Sequence, residues 1–333
     1  MTTTAAADIT LPIGRYRALF RADSPVHLPP YPGSAWRGAF GHALKRALCV
    51  TRAPECAECA LWRSCGYAYV FETPPPAQSE KMRKYPAAPH PFVLNLDLQG
   101  GAIAPGATYE LGLTLIGRGN QQLPAMLHAL EQAGAQGVGH GRGRLSLEQV
   151  EQLDTDWTAI YRPGERCEPR PVAIPAIPAI PSSARLILET PLRLKRDAGI
   201  VGARDFSFGA LFANLLRRIS MLTYFHTDTP LEIDFAALIR AARAVTHAEA
   251  HLRWFDWTRY SSRQKREMAL GGLLGEVTLD GAVLEPFWPY LWLGQYVHAG
   301  AVTSMGLGRY RLEAAASLRS RTGPHAPVEN ARP

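Results

Sequence analysis

The sequence predicts an α+β protein made of two tandem domains of one plan. Two observations predict this. Two stretches of the 333-residue chain repeat the same order of strand and helix signals, and a proline-rich segment, PVAIPAIPAIPSS at 171–183, separates them. Hydrophobic residues at 47% and charged residues at 20% are ordinary globular values, so each half can bury a core of its own.

In the first half, apolar/polar alternation at 13–21 predicts a strand and the periodicity of 35–50 a helix. Further strands are predicted at 67–72, 92–98 and 109–116. A helix at 123–133 is predicted to end at Gly134, and the glycine-rich GVGHGRGRLSL at 137–147 leads into a closing strand. Beyond the prolines come a strand at 185–194, a helix at 208–224 and an extra helix at 235–245. Strands at 251–260 and 274–279 flank the polar SSRQKRE, and an apolar helix at 286–298 leads into SMGLGRYRL at 304–312, again a glycine-rich turn before a strand. Both halves thus read strand–helix–strand–strand–helix–strand, the split βαβ or ferredoxin-like arrangement. The expected organisation is a domain at 1–165 with a cysteine-rich insertion, a linker at 166–183, a second domain at 184–316 and a flexible tail at 317–333.

The start of the chain has no basic region followed by an apolar core, so no secretory signal is read there. The longest apolar stretch, at 206–225, is interrupted by Arg217 and Arg218, which suits a buried amphipathic helix better than a membrane span. A cytoplasmic location is expected. The net charge is +7, and only five cations are lysines while 31 are arginines. Arginine's planar fork grips phosphate and stacks on bases, so the bias suits a nucleic-acid partner; a GC-rich genome would produce the same bias.

The loops GHGRGR (139–144) and GLGRYR (306–311) put glycines beside arginines just before a closing strand. Glycines permit positive φ and close approach of backbone N–H groups to phosphate, with Arg142, Arg144, Arg309 and Arg311 adding charge-assisted hydrogen bonds. A dinucleotide site is excluded by context, because no helix follows the glycines. The basic run at 259–266, with Arg259, Arg263 and Lys265, follows Trp254 and Trp257 and suits RNA contact; Lys81, Arg83 and Lys84 form another run. Four of the five cysteines, Cys49, Cys56, Cys59 and Cys65, give C-x6-C-x2-C-x5-C. Four thiolates form a tetrahedral set suited to a structural zinc, and an iron–sulfur cluster uses the same ligands. A site filled by four protein ligands leaves no open position for substrate.

The helix WRGAFGHALKRAL (36–48), the stretches YVFETPPP (69–76), MRKYPAAPHPFVL (82–94) and RYSSRQ (259–264), and the closing VTSMGLGRYRL (302–312) resemble the CRISPR-associated RAMP superfamily. The resemblance is to the endoribonucleases that cut precursor CRISPR RNA, the sixth family of Cas proteins, and spans about 11–312. It implies two ferredoxin-like RAMP domains that bind CRISPR repeat RNA and cleave it without metal. The ribose 2′-hydroxyl would attack the scissile phosphate, leaving a 2′,3′-cyclic phosphate and a 5′-hydroxyl, and guides with a 5′ repeat tag. Effector-complex subunits are further expected partners. The alternatives are a catalytically inactive RAMP subunit that holds processed guide RNA and a scaffold that contacts protein instead.

Such a cleavage needs a proton acceptor, a proton donor and positive charge near phosphorus, and imidazole suits either proton role. His42 is the expected catalyst, with Lys45 and Arg46 at i+3 and i+4 read as neighbours on one helix face. The resembled family carries its histidine at the same helix positions and in some members a tyrosine just before the helix, which singles out Tyr31. Arg37 and Arg46 are expected RNA contacts, with Gly306 and Gly308 in the terminal loop. His27 is the strongest rival to His42, and His140 and His298 sit at the glycine-rich turns.

Overall fold

The computed structural model describes residues 9–75, 88–97, 100–196, 199–261 and 266–315. In the first domain β1 (Ile13–Ala22) and β2 (Val26–Leu28) precede α1 (Gly33–Leu48). Next come β3 (Phe92–Asn95), β4 (Gly101–Ile103), β5 (Thr108–Ile116), α2 (Leu123–Gln136), β6 (Leu145–Leu153) and β7 (Trp157–Tyr161). The second contains β8 (Ser183–Leu192), β9 (Lys195–Arg196), β10 (Gly199–Ile200), α3 (Phe208–His226), α4 (Phe235–Ala244) and β11 (Glu249–Phe255). It continues with β12 (Thr258–Ser261), β13 (Arg266–Ala269), β14 (Gly272–Asp280), α5 (Trp288–Val297) and β15 (Tyr310–Ala314).

The strand order is β3-β5-β1-β6-β7 in the first sheet and β11-β14-β8-β15 in the second, with every pairing antiparallel. Counting the four principal strands of each half in chain order, both sheets run 4-1-3-2, the ferredoxin-like order; β7 is an addition to the first. Alternation in β1 buries Tyr16, Ala18, Phe20 and Ala22 against α1 and α2, while Arg15, Arg17 and Arg21 occupy the opposite face. The second core, under α3 and α5, draws in Ile9, Leu11 and Ile13 from the start of the chain and Val93 and Ile116 from the first sheet. Apolar packing is therefore continuous between the halves. α3 is capped by Ser207, whose hydroxyl accepts from Ala210 N at 3.2 Å, and among the described residues no helix is long and apolar enough to cross a membrane.

Two local expectations are overturned. Residues 67–72 are not a strand: Ala68–Glu72 is a π-helical turn, closed by Thr73 N donating to Ala68 O at 2.6 Å. Its turn buries Val70 and Phe71 under α1, where Phe71 meets Phe40 at 5.5 Å between ring centroids. Gly41 makes the space, since a Cβ there would lie 2.5 Å from the Phe71 ring. Nor does α2 stop at Gly134. It continues to Gln136 because the bare Gly134 packs against Leu145 O, and the stop comes at Gly137, where φ is +91°. The proline-rich segment from 162 to 182 has neither helix nor strand, yet it is held along its length. Gln152 clasps Arg170 with two backbone hydrogen bonds (2.9 and 3.0 Å), Ile13 N donates to Ala173 O (3.1 Å) and Trp288 Nε1 to Pro178 O (2.8 Å). The tail expected to be flexible, at 317–333, lies outside the described residues.

Candidate active site and nucleic-acid interface

α1 separates the residues that its sequence spacing groups together. His42 and Arg46, one turn apart, are exposed, as is Gly38 one turn earlier, and a Cβ at Gly38 would meet nothing within 4 Å. The surface beside the His42 imidazole is thus open, with a guanidinium on the same face. Lys45 is not part of that face: its ammonium lies over the Tyr67 ring, 5.8 Å from the centroid, on the side of the cysteine insertion. Arg37 turns the other way and bridges the two domains. Its Nε donates to Ser304 Oγ at 3.1 Å, its NH2 lies 3.3 Å from His90 Nε2, and its guanidinium covers Phe71.

Tyr31 and the terminal loop also belong to this seam. Tyr31 is 1% exposed, donates its hydroxyl to Met305 O at 2.5 Å and meets Trp257 edge-on at 4.9 Å, and burial raises its pKa far above the ordinary tyrosine range. A phenol so enclosed does not face the open side of α1. Residues 303–308 are buried, with Met305 O against Gly33 at the start of α1. Gly306 N donates to Thr303 O (2.8 Å) and Gly308 N to Pro191 O (3.1 Å), so neither amide is presented to a phosphate. Arg309 is held by Asp97 (3.1 Å) and Glu189 (2.9 Å) across the same junction. Gly306, Arg309 and Arg37 therefore lie where the domains join, while Gly308 packs within the second domain against Ala299.

Three histidines lie in the seam. His226 donates Nε2–H to Pro89 O at 2.7 Å and accepts from Tyr69 at 3.0 Å; His90 reaches Thr73 Oγ1 at 2.9 Å; His298 sits between Asn95 and Leu307 O. Burial, reinforced by nearby arginines, pulls His226 down to about 4 and His90 and His298 to about 3. Arg218, whose Nε donates to Val297 O at 2.8 Å, contributes to all three shifts and is itself lowered to about 10 by burial. Sequence reading missed this cluster. The available signal was that each histidine borders an apolar element: α3, β3 and α5.

The first glycine-rich loop stands open. His140 N donates to His27 O at 2.8 Å, setting His27 and His140 opposite one another in an antiparallel bridge, both exposed. Arg142 and Arg144 are exposed beside them, and Gly139, Gly141 and Arg142 all adopt positive φ. Elsewhere arginines are neutralised on the sheet faces: Arg17 by Glu151, Arg21 by Glu148, Arg185 by Glu313 and Arg311 by Glu189. Arg259 lies in β12 with its side chain outside the described residues, as are Arg263 and Lys265 altogether.

Cys49, Cys56, Cys59 and Cys65 are unpaired by disulfides and line one pocket at the end of α1. Cys59 N donates to Cys56 O, and the Cys59 sulfur, 3.2 Å from Thr51 Oγ1, has a lowered pKa, chiefly from that hydroxyl and also from Leu61 N–H. Among the described residues, however, no three Cys, His, Asp or Glu groups are arranged to hold a metal ion. The four thiols that the expected zinc or iron–sulfur centre would use border that one pocket.

Two family models match consecutive parts of the chain: one described as an N-terminal domain over residues 11–172, and one for CRISPR-associated endoribonuclease Cas6 over residues 186–310. Solved structures share the fold. A Cas6 product complex aligns at a TM-score of 0.55 and 18% identity, covering 90% of this chain and 98% of its own. Thermus thermophilus Cas6 aligns at 0.50 and 16%, covering 91% and 99%. A partial Cas6-RT-Cas1–Cas2 complex aligns at 0.53 and 14%, covering 97% of this chain and 49% of its own. No curated protein matches the chain at a significant level.

Proposed function

We propose that this chain is a CRISPR-associated RAMP protein of the Cas6 endoribonuclease type, a reading supported by the Cas6 family model over residues 186–310, and that it cuts precursor CRISPR RNA at one phosphate per repeat by metal-independent attack of the neighbouring 2′-hydroxyl, with His42 in proton transfer. The observation that carries this reading is the open face of α1, where His42 and Arg46 stand one turn apart above unobstructed surface at Gly38. An imidazole there takes the 2′-OH proton or returns one to the departing 5′-oxygen; the guanidinium stabilises charge on the phosphorane. The 2′-oxygen–phosphorus bond forms as the phosphorus–5′-oxygen bond breaks, giving a 2′,3′-cyclic phosphate and a 5′-hydroxyl. His27 and His140, with Arg142 and Arg144, supply a second exposed phosphate-binding surface on the same domain. The solved Cas6 complex with Cas1–Cas2 motivates the proposal that CRISPR proteins are partners of this chain as well.

The test is incubation of labelled repeat RNA in excess EDTA with wild type and with His42→Ala. Cleavage by wild type at one site, reduced about 10²- to 10⁴-fold in the variant with binding retained, is the expected result. Undiminished cutting by His42→Ala would move the catalyst, with His27 the next residue to substitute. Binding without cutting by wild type would favour the non-catalytic guide-holding subunit.

A further inference from the structure

We propose that the groove between α3, α4 and the β9–β10 hairpin is a further RNA-binding surface, which tracks the phosphates of the strand beyond the cleaved repeat. This rests on the RNA-processing reading above. Lys195 and Arg196 enter the groove from the hairpin, Arg217 from α3 and Arg243 from α4, and no acidic residue is among its described lining. Lys195, Arg196 and Arg243 are exposed and make no ion pair among the described residues. The contrast is with the two sheet faces, where arginines are matched to glutamates. Lys195, Arg196 and Arg243, gathered in a concave site with no ion-pair partner among the described residues, raise the local potential and attract a polyanion.

The groove is elongated and open to solvent, with a volume of about 930 Å³. It follows α3 from Ser207 to Met221, a rise of about 21 Å. Its close walls depend on Gly209, where a Cβ would lie 2.9 Å from Arg243 Cα, so the glycine lets α4 lie against α3. Leu216, Phe235 and Ile239 give the groove an apolar component, with Ser207 and Ser220 among them. Apolar and aromatic surface beside cations suits bases and phosphates of a single strand. The groove lies on the second domain and His42 on the first, so its RNA is the flanking strand and not the scissile phosphate.

The test measures binding of the full chain to two fluorescent RNAs, the repeat alone and the repeat extended by spacer nucleotides, across a series of salt concentrations. The variants are K195A/R196A/R243A and, confined to the exposed hairpin, K195E/R196E, each checked for an unchanged melting temperature. For the extended RNA the triple variant is expected to lose about 2 from the slope of log affinity against log salt, and about tenfold or more in affinity. Repeat-only binding and single-turnover cleavage at saturating protein are expected to stay unchanged. An unaltered slope for the extended RNA, with wild type still cutting the repeat, would overturn the groove and leave the enzyme reading intact. Poly-glutamate binding that the variants lose while RNA binding is kept would overturn it in favour of an acidic protein. Wild type that binds neither RNA would remove the reading on which the inference rests.

Discussion

The loops GHGRGR and GLGRYR occupy equivalent places in the two domains and nearly repeat each other in sequence, yet one faces solvent and the other is buried. In the first, His140 and Arg142 are exposed and a Cβ at Gly141 would meet nothing within 4 Å. In the second, residues 303–308 are covered by α1, Tyr31 and β3, and a Cβ at Gly308 would collide with Ala299 O. The difference is one of neighbours. The second loop packs against the other domain, where Arg309 reaches Asp97, while its amides bond within their own domain; the first has only the short β2 strand beside it. A glycine–arginine loop therefore supplies conformations and charges, and the surrounding surface decides whether RNA or protein uses them.

The comparison can be broken most sharply by adding a methyl group to each loop. Gly308→Ala introduces both strain at φ +75° and a collision with backbone, so a loss of about 3 kcal/mol or more in a denaturation midpoint experiment is expected. Gly141→Ala, at φ +73° in open space, is expected to cost only about 1–2 kcal/mol. Equal losses would mean that the second loop yields easily.

Acid sharpens the same contrast, because the second loop is joined to buried histidines and the first is not. His90, His226 and His298 have folded pKa values depressed to about 3, 4 and 3. The unfolded chain takes up these protons first, so their contribution is complete above about pH 6.5 and is lost as pH falls toward 4 and 3. Thermal melts should therefore show destabilisation between pH 6.5 and 4.5, on the order of 2 kcal/mol per histidine. His226→Gln should flatten part of that dependence; an unchanged pH profile in this variant would contradict the buried neutral assignment.

Arginine substitutions test the loops' chemistry. Arg142→Ala with Arg144→Ala is expected to lower the salt slope of RNA binding by about 1.4 without changing the melting temperature. Arg309→Ala should do the reverse, leaving the slope unchanged and lowering stability through loss of Asp97 and Glu189. A slope change in Arg309→Ala would return that residue to the RNA surface. The smallest effect is expected at the thiol pocket. Cys56→Ser with Cys59→Ser should leave cleavage intact and lower the melting temperature by a few degrees, and the expectation of zinc requires one equivalent to be lost with them. A wild-type chain free of metal, melting identically with and without chelator, would leave that expectation without support.

Strand and helix order was legible because alternation and helical periodicity are local. The run YAYVFE was misread because its apolar residues fit a strand as well as a helical turn; only the space at Gly41 selects the turn. The site was legible in part. His42 and Arg46 share an exposed face as their spacing implies, but Lys45 and Arg37, equally close in sequence, are drawn off by Tyr67 and by Ser304 with His90. Their destinations lie far along the chain or in the other domain, where spacing carries no information.

The amino-acid sequence by itself determined the duplicated ferredoxin-like plan, the cysteine insertion and the glycine turns, because each follows from residues near one another along the chain. Only the tertiary structure decided which glycine loop is buried, which arginines are neutralised and which histidines are held neutral. Those outcomes depend on desolvation and on partners that strand pairing within each sheet and the seam between the domains bring together from distant parts of the chain.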